Sequence, residues 1–196
     1  MIGPAILLCA GAYVLGSVPT GLLVARARGV DIRTVGSGNI GATNVARSLG
    51  RPWAAVVLLC DAAKGFLPVM LARRSAEDFP AVVVALAGLA AIVGHMFTIF
   101  LRGRGGKGVA TSLGVALGLS PLLGLVGLAV YALAFVTTHL SSLGSLLGLW
   151  SFPIAALARG RVAREYVALS VVVAVLVTVR HRDNIRRLVR GEEKRA

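Results

Sequence analysis

Long apolar segments separated by short polar ones run through the whole of this 196-residue sequence. A helix of ~17–25 residues crosses the ~30 Å hydrocarbon core of a bilayer, and six of the apolar segments are long enough to do so. A seventh segment, Val109–Ser120, covers only ~18 Å at ~1.5 Å per residue. The six long segments are predicted as helices at residues 2–24, 52–72, 80–101, 121–140, 142–158 and 164–180.

Whether the short segment crosses decides the side on which every later loop lies. If it crosses, fifteen Lys and Arg residues lie inside and five outside; if it does not, the numbers are eleven and nine. Cytoplasmic loops carry an excess of Lys and Arg, so the charges favour crossing. The sequence therefore predicts an all-α integral membrane protein with seven transmembrane helices, the N-terminus outside and the C-terminus cytoplasmic. The fourth helix is then expected to begin within the Gly-rich loop that precedes Val109.

Composition supports a membrane protein, because 57% of the residues are hydrophobic and only 15% are charged, against about a quarter charged in soluble domains. A net charge of +13 would indicate nucleic acid binding in a soluble chain. In a membrane protein it is typical of cytoplasmic loops and of contact with anionic lipid. The start of the chain has no basic residue before Arg26, which argues against a cleaved signal peptide. We expect one membrane domain over residues 1–196, in contact with the lipid bilayer and without a nucleic acid partner.

Seven crossings would place four polar segments on one membrane face. Their convergence indicates a site at that face. The segments are Gly36–Arg51, Arg102–Thr111, Thr137–Ser145 and Arg180–Glu192.

Two of these segments contain the pattern G-x-G-x-x-G, at Gly36–Gly41 and Gly103–Gly108. In dinucleotide-binding folds this pattern follows a strand, and an acidic residue follows about twenty residues later. Here Asp61 stands at that distance but lies inside an apolar helix, and Lys107 is followed by glycine, which excludes a Walker A loop. Nucleotide binding is therefore excluded.

Such loops still have the properties of phosphate sites. Consecutive glycines let backbone N–H groups converge on an anion, and a following helix adds the positive end of its dipole. The residues after Ile40 are compatible with a helix, and Arg47 and Lys107 provide one cation for each loop. Two phosphate sites are predicted; flexible interfacial loops with cations that reach into water are the alternative.

Several ionisable residues have two interpretations each. Asp61 and Lys64 lie one turn apart in a transmembrane helix, and such groups either mark function or neutralise each other to fix packing. His95, near the end of the third helix, is either a packed residue or a catalytic one. The tail from His181 has the spacing of an amphipathic helix on anionic lipid, and His181 and Asn184 share a face that suits a more specific role.

The absence of known motifs narrows the chemistry. There is no G-x-S-x-G elbow, no H-x4-D acyltransferase signature, no H-E-x-x-H and no acidic cluster for Mg²⁺. We therefore expect neither a metal nor a cofactor, and a reaction that relies on an activated substrate, positioning and charge stabilisation. A transporter would show an internal repeat, which the mutually dissimilar polar segments lack. A CDP-alcohol phosphotransferase would carry an Asp-rich metal motif, which is also absent.

In these residues the chain resembles the bacterial acyl-phosphate-dependent glycerol-3-phosphate acyltransferases along nearly its whole length. The resemblance is specific because three long motifs occur in order and in register. The motif residues are Ser37–Asn44 with Arg47; Gly94-His95, Phe97, Phe100 and Gly105–Thr111; and His181-Arg182, Asn184-Ile185, Arg187-Leu188, Gly191 and Glu192, with Asp61, Lys64-Gly65 and Ser142–Ser145 as further shared features.

The resemblance implies an enzyme that transfers a fatty acyl group from acyl phosphate to the 1-hydroxyl of glycerol 3-phosphate. The products are 1-acyl-glycerol 3-phosphate (lysophosphatidic acid) and inorganic phosphate, in the first step of bacterial phospholipid synthesis. It further implies a site on the cytoplasmic face of the inner membrane, with no use of a metal or acyl-CoA. The leaving phosphate accepts the hydroxyl proton, or else His95 or His181 acts as the general base.

The resemblance also implies roles for individual residues. We expect His95, Lys107, His181 and Asn184 to be catalytic. Glycerol 3-phosphate would be held by Ser37, Arg47, Lys107, Ser142, His181 and Asn184. Acyl phosphate would be held by Gly38, Asn39, Gly41, Ala42, Thr43, Asn44, Gly105, Gly106, Gly108 and Thr111.

Overall fold

The computed structural model describes residues 2–75 and 79–195, and in these ranges every regular element is a helix. A 3₁₀ turn at Ile99–Leu101 follows the fifth helix. The α-helices are α1 (Ile2–Ser17), α2 (Thr20–Ala27), α3 (Ala42–Leu49), α4 (Arg51–Arg74), α5 (Ala81–Met96), α6 (Val109–Leu119), α7 (Pro121–Thr138), α8 (Ser141–Arg159), α9 (Arg164–Arg180) and α10 (Arg182–Val189).

The all-helical membrane architecture predicted from the apolar segments is confirmed. By length and composition, five stretches are suited to cross a membrane: Ile2–Ala27, Arg51–Arg74, Ala81–Leu101, Pro121–Thr138 and Ser141–Arg159. The remaining apolar helices are shorter, with 11 residues in α6 and 17 in α9. The number of seven crossings and the sides of the termini stay predictions.

Many large apolar side chains point away from the helix bundle. Leu7 is 75% exposed, Leu133 69% and Val136 68%. In water such exposure would be costly, whereas lipid tails are as apolar as these side chains. The outer surface is therefore suited to contact with hydrocarbon.

The first predicted helix is in fact two helices, because the chain breaks at Val18-Pro19 between α1 and α2. Proline lacks an N–H group and disfavours helical backbone at the residue before it. The backbone oxygen of Val18 instead accepts a hydrogen bond from Nζ of Lys64 at 2.9 Å. Thr20, at the start of α2, donates its hydroxyl to Oδ1 of Asp61, also at 2.9 Å.

The expected pairing of Asp61 with Lys64 is confirmed. Nζ of Lys64 lies 2.9 Å from Oδ1 of Asp61, and the two side chains are 5% and 3% exposed. Since both partners also bind the backbone or side chain at the α1–α2 break, the pair stabilises that break as well as neutralising itself.

Helix α6 begins at Val109, directly after the Gly-rich loop, so the expectation that it starts within that loop is wrong. The reason is the backbone of Gly108, whose φ of +84° lies in the left-handed region and ends helical geometry there. As a result α6 is only ~16 Å long.

Helices pair closely where small residues face each other, as expected in a membrane. Helix α4 crosses α6 at Gly65 and Gly114, where an added Cβ would overlap the backbone oxygens of Thr111 and Ala62. Helix α1 packs along α5, and α7 along α8. The close α4–α6 crossing places the start of α6, and the loop before it, beside the buried Asp61–Lys64 pair.

Candidate active site

The loop that precedes α3 is folded around the side chain of Asn44, which is 2% exposed. Nδ2 of Asn44 donates to the backbone oxygens of Ile32 at 3.1 Å and Val35 at 3.0 Å. Its Oδ1 accepts the N–H of Ser37 at 2.9 Å. The side-chain amide of Asn44 thus holds the loop in shape, while the side chain of Ser37 is exposed at its rim.

Further contacts within this loop engage some of the amides predicted to bind phosphate. Gly38 donates its N–H to the backbone oxygen of Val35 at 3.0 Å, and Gly41 donates its N–H to Oδ1 of Asn39 at 2.9 Å. Helix α3 then starts at Ala42. The hydroxyl groups of Thr43 and Ser141 lie 3.1 Å apart, which ties the start of α3 to the start of α8.

The second Gly-rich loop folds back onto the end of α5. The N–H of Gly105 donates to the backbone oxygen of Met96, and that of Gly106 to the backbone oxygen of His95, both at 3.1 Å. These two amides satisfy carbonyls that have no partner within α5. The loop then leads into α6, where Thr111 is fully buried and its hydroxyl has no hydrogen-bond partner in the described part of the chain.

The side chain of Lys107 extends from this loop toward α10. Its Nζ donates to Oδ1 of Asn184 in α10, so the structure joins the second and third sequence motifs directly.

The carboxylate of Glu193 lies at the centre of the site. Its Oε1 accepts hydrogen bonds from the hydroxyl of Ser142 at 2.8 Å and from Nδ2 of Asn184 at 2.6 Å. Its Oε2 accepts one from Nε of Arg187 at 2.7 Å. The side chain of Glu193 is only 6% exposed. Donors that can bind an anion, from α8 and α10, are therefore gathered at one point.

Arg47 reaches the same point from α3. Its Nη2 donates to the backbone oxygens of Lys194 at 2.8 Å and Arg195 at 3.3 Å. Four residues predicted from the sequence to bind glycerol 3-phosphate are thus brought together around residues 193–195: Arg47, Lys107, Ser142 and Asn184.

The positive charges of this cluster affect Lys107. Burial lowers the pKa of Lys107 to about 8; the carboxylate of Glu193 acts to raise it, whereas Arg187, Arg47 and Arg180 act to lower it. Lys107 is therefore mostly charged at pH 7 and loses its charge at a mildly alkaline pH.

The carboxylate of Glu193 has the opposite balance. Burial acts to raise its pKa, but hydrogen bonds from Asn184, Arg187 and Ser142 outweigh burial and hold the pKa below its usual value. Glu193 is therefore an anion at neutral pH.

His181 is a neutral, oriented imidazole beside this cluster. It is 2% exposed, and burial followed by the charge of Lys107 lowers its pKa to about 4. Its Nδ1 lies 2.8 Å from the backbone oxygen of Val177, which can only accept, so Nδ1 carries the proton. Nε2 is then left as an acceptor.

The structure places His95 elsewhere, behind the Gly-rich loop. Its Nε2 lies so close to Gly106 that an added Cβ there would overlap it. Its Nδ1 lies 3.7 Å from Oδ1 of Asp61 and has no hydrogen-bond partner among residues 2–75 and 79–195. His95 thus lies between the Asp61–Lys64 pair and the second Gly-rich loop and packs against Gly106.

Sequence reasoning assigned no role to Glu193, and it matched Arg187 in the third motif without giving it one. The third motif was matched at Glu192, yet Glu192 is exposed and Glu193 makes the contacts. The available signal was a glutamate pair within a strongly basic tail, where arginines such as Arg187 offer ionic partners.

We expect Glu193→Gln to lower activity about tenfold or more, since hydrogen bonds to a charged group are each worth ~1.5–3 kcal/mol. The neutral amide also turns a donor toward Asn184 or Arg187. Steady-state kinetics of the purified variant would measure this, with Glu192→Gln as the matched control that keeps activity. Equal activity of both variants would contradict the role of Glu193.

Comparison with known proteins places the chain among the members of one family. The family model described as "Glycerol-3-phosphate acyltransferase" matches residues 6–191. A protein of that name from Geobacter sulfurreducens is 52% identical over 190 residues, covering 97% of this chain and 96% of the relative. One from Myxococcus xanthus is 50% identical over 185 residues, covering 93% and 95%.

Solved structures give the same result. The glycerol 3-phosphate form of PlsY (YgiH), an integral membrane glycerol 3-phosphate acyltransferase, matches with a TM-score of 0.93 and 39% identity, covering 98% of this chain and 96% of that chain. The lysophosphatidic acid form matches with a TM-score of 0.91. Sequence motifs, fold and relatives over nearly the full length all agree: the chain belongs to the glycerol-3-phosphate acyltransferase family.

Proposed function

We propose that this protein transfers a fatty acyl group from acyl phosphate to the 1-hydroxyl of glycerol 3-phosphate, which yields lysophosphatidic acid and inorganic phosphate. The observation that carries the proposal is the convergence of Lys107, Ser142, Asn184 and Arg47 from four separate segments. Such a set of cations and neutral donors suits a phosphate monoester with a hydroxyl group to be oriented. The membrane-facing apolar surface suits a substrate with a fatty acyl tail.

In this proposal glycerol 3-phosphate binds against Lys107 and Arg47, with Ser37 at the rim. Glu193 orients the donors Ser142 and Asn184 through its own hydrogen bonds. The phosphate itself would accept from the remaining N–H groups of Lys107 and Arg47, which donate only part of theirs to Asn184 and to residues 194–195. These two cations are already held in place, which lowers the cost of ordering them.

Acyl phosphate would bind at the start of α3 and at the start of α6. The amides of Gly38, Gly41, Gly105 and Gly106 are already bonded within the protein. We therefore expect acyl phosphate to accept hydrogen bonds from the first backbone amides of α3 and α6, close to Thr43 and Gly108. Both helix starts point the positive end of a dipole at an anion.

Proton transfer is assigned to the substrate. The hydroxyl oxygen of glycerol 3-phosphate attacks the acyl carbonyl carbon, the bond from that carbon to the phosphate oxygen breaks, and the departing phosphate takes the hydroxyl proton. Neutral His181, with a pKa of about 4, is a weak base at pH 7 and holds the hydroxyl group through Nε2.

We expect His181→Ala to weaken binding of glycerol 3-phosphate with no change in the pH dependence of kcat. Because the pKa of about 4 lies below the usual 6.5, His181 stays neutral from pH 6 to 8 in the native protein. A pH–rate profile of His181→Ala, beside one of His95→Ala, measures this. The disappearance of an acidic limb in either variant would instead identify that histidine as the general base.

The reaction itself is tested with purified protein in detergent, labelled glycerol 3-phosphate and a chelator of divalent metals. One sample receives acyl phosphate, a second acyl-CoA and a third acyl-carrier protein. Labelled lysophosphatidic acid in the first sample alone is expected. Product formed only with a thioester donor would refute the acyl-phosphate donor, and no product in any sample would refute the transferase function.

We further propose seven crossings of the bacterial inner membrane, with the N-terminus outside and the site cytoplasmic. Support comes from the Lys and Arg count of fifteen against five and from the 17-residue length of α9, which is ~25 Å. In a variant without Cys9 and Cys60, Arg161→Cys should react with an impermeant maleimide in intact spheroplasts. Arg104→Cys and Arg190→Cys should react only after permeabilisation, and labelling of Arg190→Cys from outside would contradict seven crossings.

A further inference from the structure

The guanidinium group of Arg180, the last residue of α9, binds the backbone of the second Gly-rich loop. Its Nη2 donates to the carbonyl oxygens of Gly105 and Gly106, each at 3.0 Å, and its Nε lies 3.3 Å from that of Gly106. One planar group thus contacts two successive peptide units.

The carbonyl groups of Gly105 and Gly106 face Arg180 because the opposite side of this loop already packs against the end of α5. The N–H groups of Gly105 and Gly106 donate to the end of α5, and a Cβ at either glycine would overlap His95. Buried backbone carbonyls require a partner, most of all near lipid. The loop is therefore clamped between the end of α5 on one side and Arg180 on the other.

Arg180 is itself held in place. Its guanidinium carbon lies 5.5 Å from the centre of the Phe97 ring, a cation–π contact. The backbone oxygen of Phe97 accepts the hydroxyl of Tyr13 at 2.8 Å, which extends the connection to α1. The clamp therefore rests on α1, α5 and α9 together.

The residues on each side of this contact are those of the candidate site. Lys107 follows Gly106 directly, and His181 and Asn184 follow Arg180 by one and four residues. Since Nζ of Lys107 donates to Asn184, the Arg180 contact and the Lys107 contact join the same two segments of backbone. Any shift of the loop relative to the end of α9 displaces the ammonium group from its acceptor.

We propose that Arg180 is a positioning residue that holds the Gly105–Gly106 backbone at a fixed distance from the end of α9 and so sets the position of Lys107 in the site. The inference rests on the proposed function for its effect on catalysis, but not for its effect on Lys107. Arginine suits this contact because Nε and Nη2 belong to one rigid plane and together give three contacts to the two carbonyls. The ammonium group of a lysine is a single nitrogen on a flexible chain and lacks the second donor of that plane.

The first test compares the kinetics of Arg180→Ala, Arg180→Gln and Arg180→Lys with those of Arg186→Gln, a matched loss of an exposed charge. We expect kcat/KM for glycerol 3-phosphate to fall about 10- to 100-fold in the Ala and Gln variants, less in the Lys variant, and not at all in the control. Guanidinium ion at millimolar concentration should restore part of the activity of Arg180→Ala, and ammonium should not. A merely structural arginine would give a lowered Tm without this selective rescue, which would overturn the proposal.

The second test measures the reactivity of the Lys107 amine and requires no enzymatic turnover. The three lysines of the chain are Lys64, Lys107 and Lys194, and exposed Lys194 is the internal reference for amine acylation followed by mass spectrometry. Lys107 should react severalfold faster in folded Arg180→Ala than in the native protein, and guanidinium should reverse the change. If Arg180→Ala does not fold, the Gln and Lys variants provide the same ratio. An unchanged ratio refutes the positioning role, whereas absent acyl transfer by the native protein with a changed ratio refutes the proposed function alone.

Discussion

Lys107→Met is expected to reduce kcat/KM for glycerol 3-phosphate by ~10²- to 10³-fold, the usual effect of removing one preorganised donor from an active site. Within the described residues, Lys107 is the only residue of the second Gly-rich loop whose side chain donates to α10. Its ammonium group binds Asn184 there. Methionine keeps the length of the side chain and removes the charge. Kinetics with both substrates measures the effect, and Arg104→Met, an exposed neighbour, is the control for charge.

The same residue predicts a pH dependence. Because the pKa of Lys107 is lowered to about 8, the amine is protonated at pH 7 and becomes neutral as the pH rises through 8. Activity that needs the charge should fall over that range. Lys107→Arg keeps its charge to a higher pH, so in this variant the alkaline decline should move up or disappear. A decline that is identical in the two proteins would assign it to another group.

Lys64→Met is expected to lower the free energy of unfolding by about 3–5 kcal/mol, since it leaves the carboxylate of Asp61 buried and uncompensated. The backbone oxygen of Val18 also loses the ammonium donor at the α1–α2 break and keeps the N–H of Thr20 at 3.0 Å. The double variant Asp61→Asn with Lys64→Met should recover most of the loss, because no buried charge remains. Unfolding in detergent, analysed as a double-mutant cycle, measures both effects.

The outcome separates two roles of this pair. If the double variant is stable but inactive, the charges serve the loop above them through His95, whose Nδ1 faces Asp61 at 3.7 Å. If it is stable and active, the pair serves folding alone. A single Lys64→Met variant as stable as the native protein would contradict the cost expected for an unpaired buried charge.

Most of the membrane helices were predictable because their apolar segments end where glycine, proline and charge begin. The short helices α3 and α10 were also anticipated, by the helix-compatible residues after Ile40 and the amphipathic spacing of the tail. The break at Pro19 was missed because the stretch Ile2–Ala27 is apolar enough as a whole to be taken as one helix, although Pro19 was a local signal. Its partner, Lys64, is 46 residues away, so only tertiary structure shows what stabilises the break.

Part of the site was predictable from topology, which places Arg47, Lys107, Ser142 and Asn184 at one face. The direction of the loop amides was not, because it depends on which carbonyls need a partner. Glycines in series suggested N–H groups turned toward a ligand, whereas the last carbonyls of α5 accept those of Gly105 and Gly106. The role of Glu193 was likewise beyond sequence reasoning, since nothing local distinguishes it from Glu192.

The contact between Arg47 and the backbone of Lys194 also imposes an order on biosynthesis. The two residues are 147 positions apart, and a ribosome that adds about 5–20 residues per second needs roughly 7–30 s to cover that distance. Throughout that interval α3 exists without the contact between Arg47 and residues 194–195. Ser142 likewise lacks its partner until Glu193 has been added. The membrane helices can insert one after another during translation, but the anion site is completed only when residues 193–195 leave the exit tunnel.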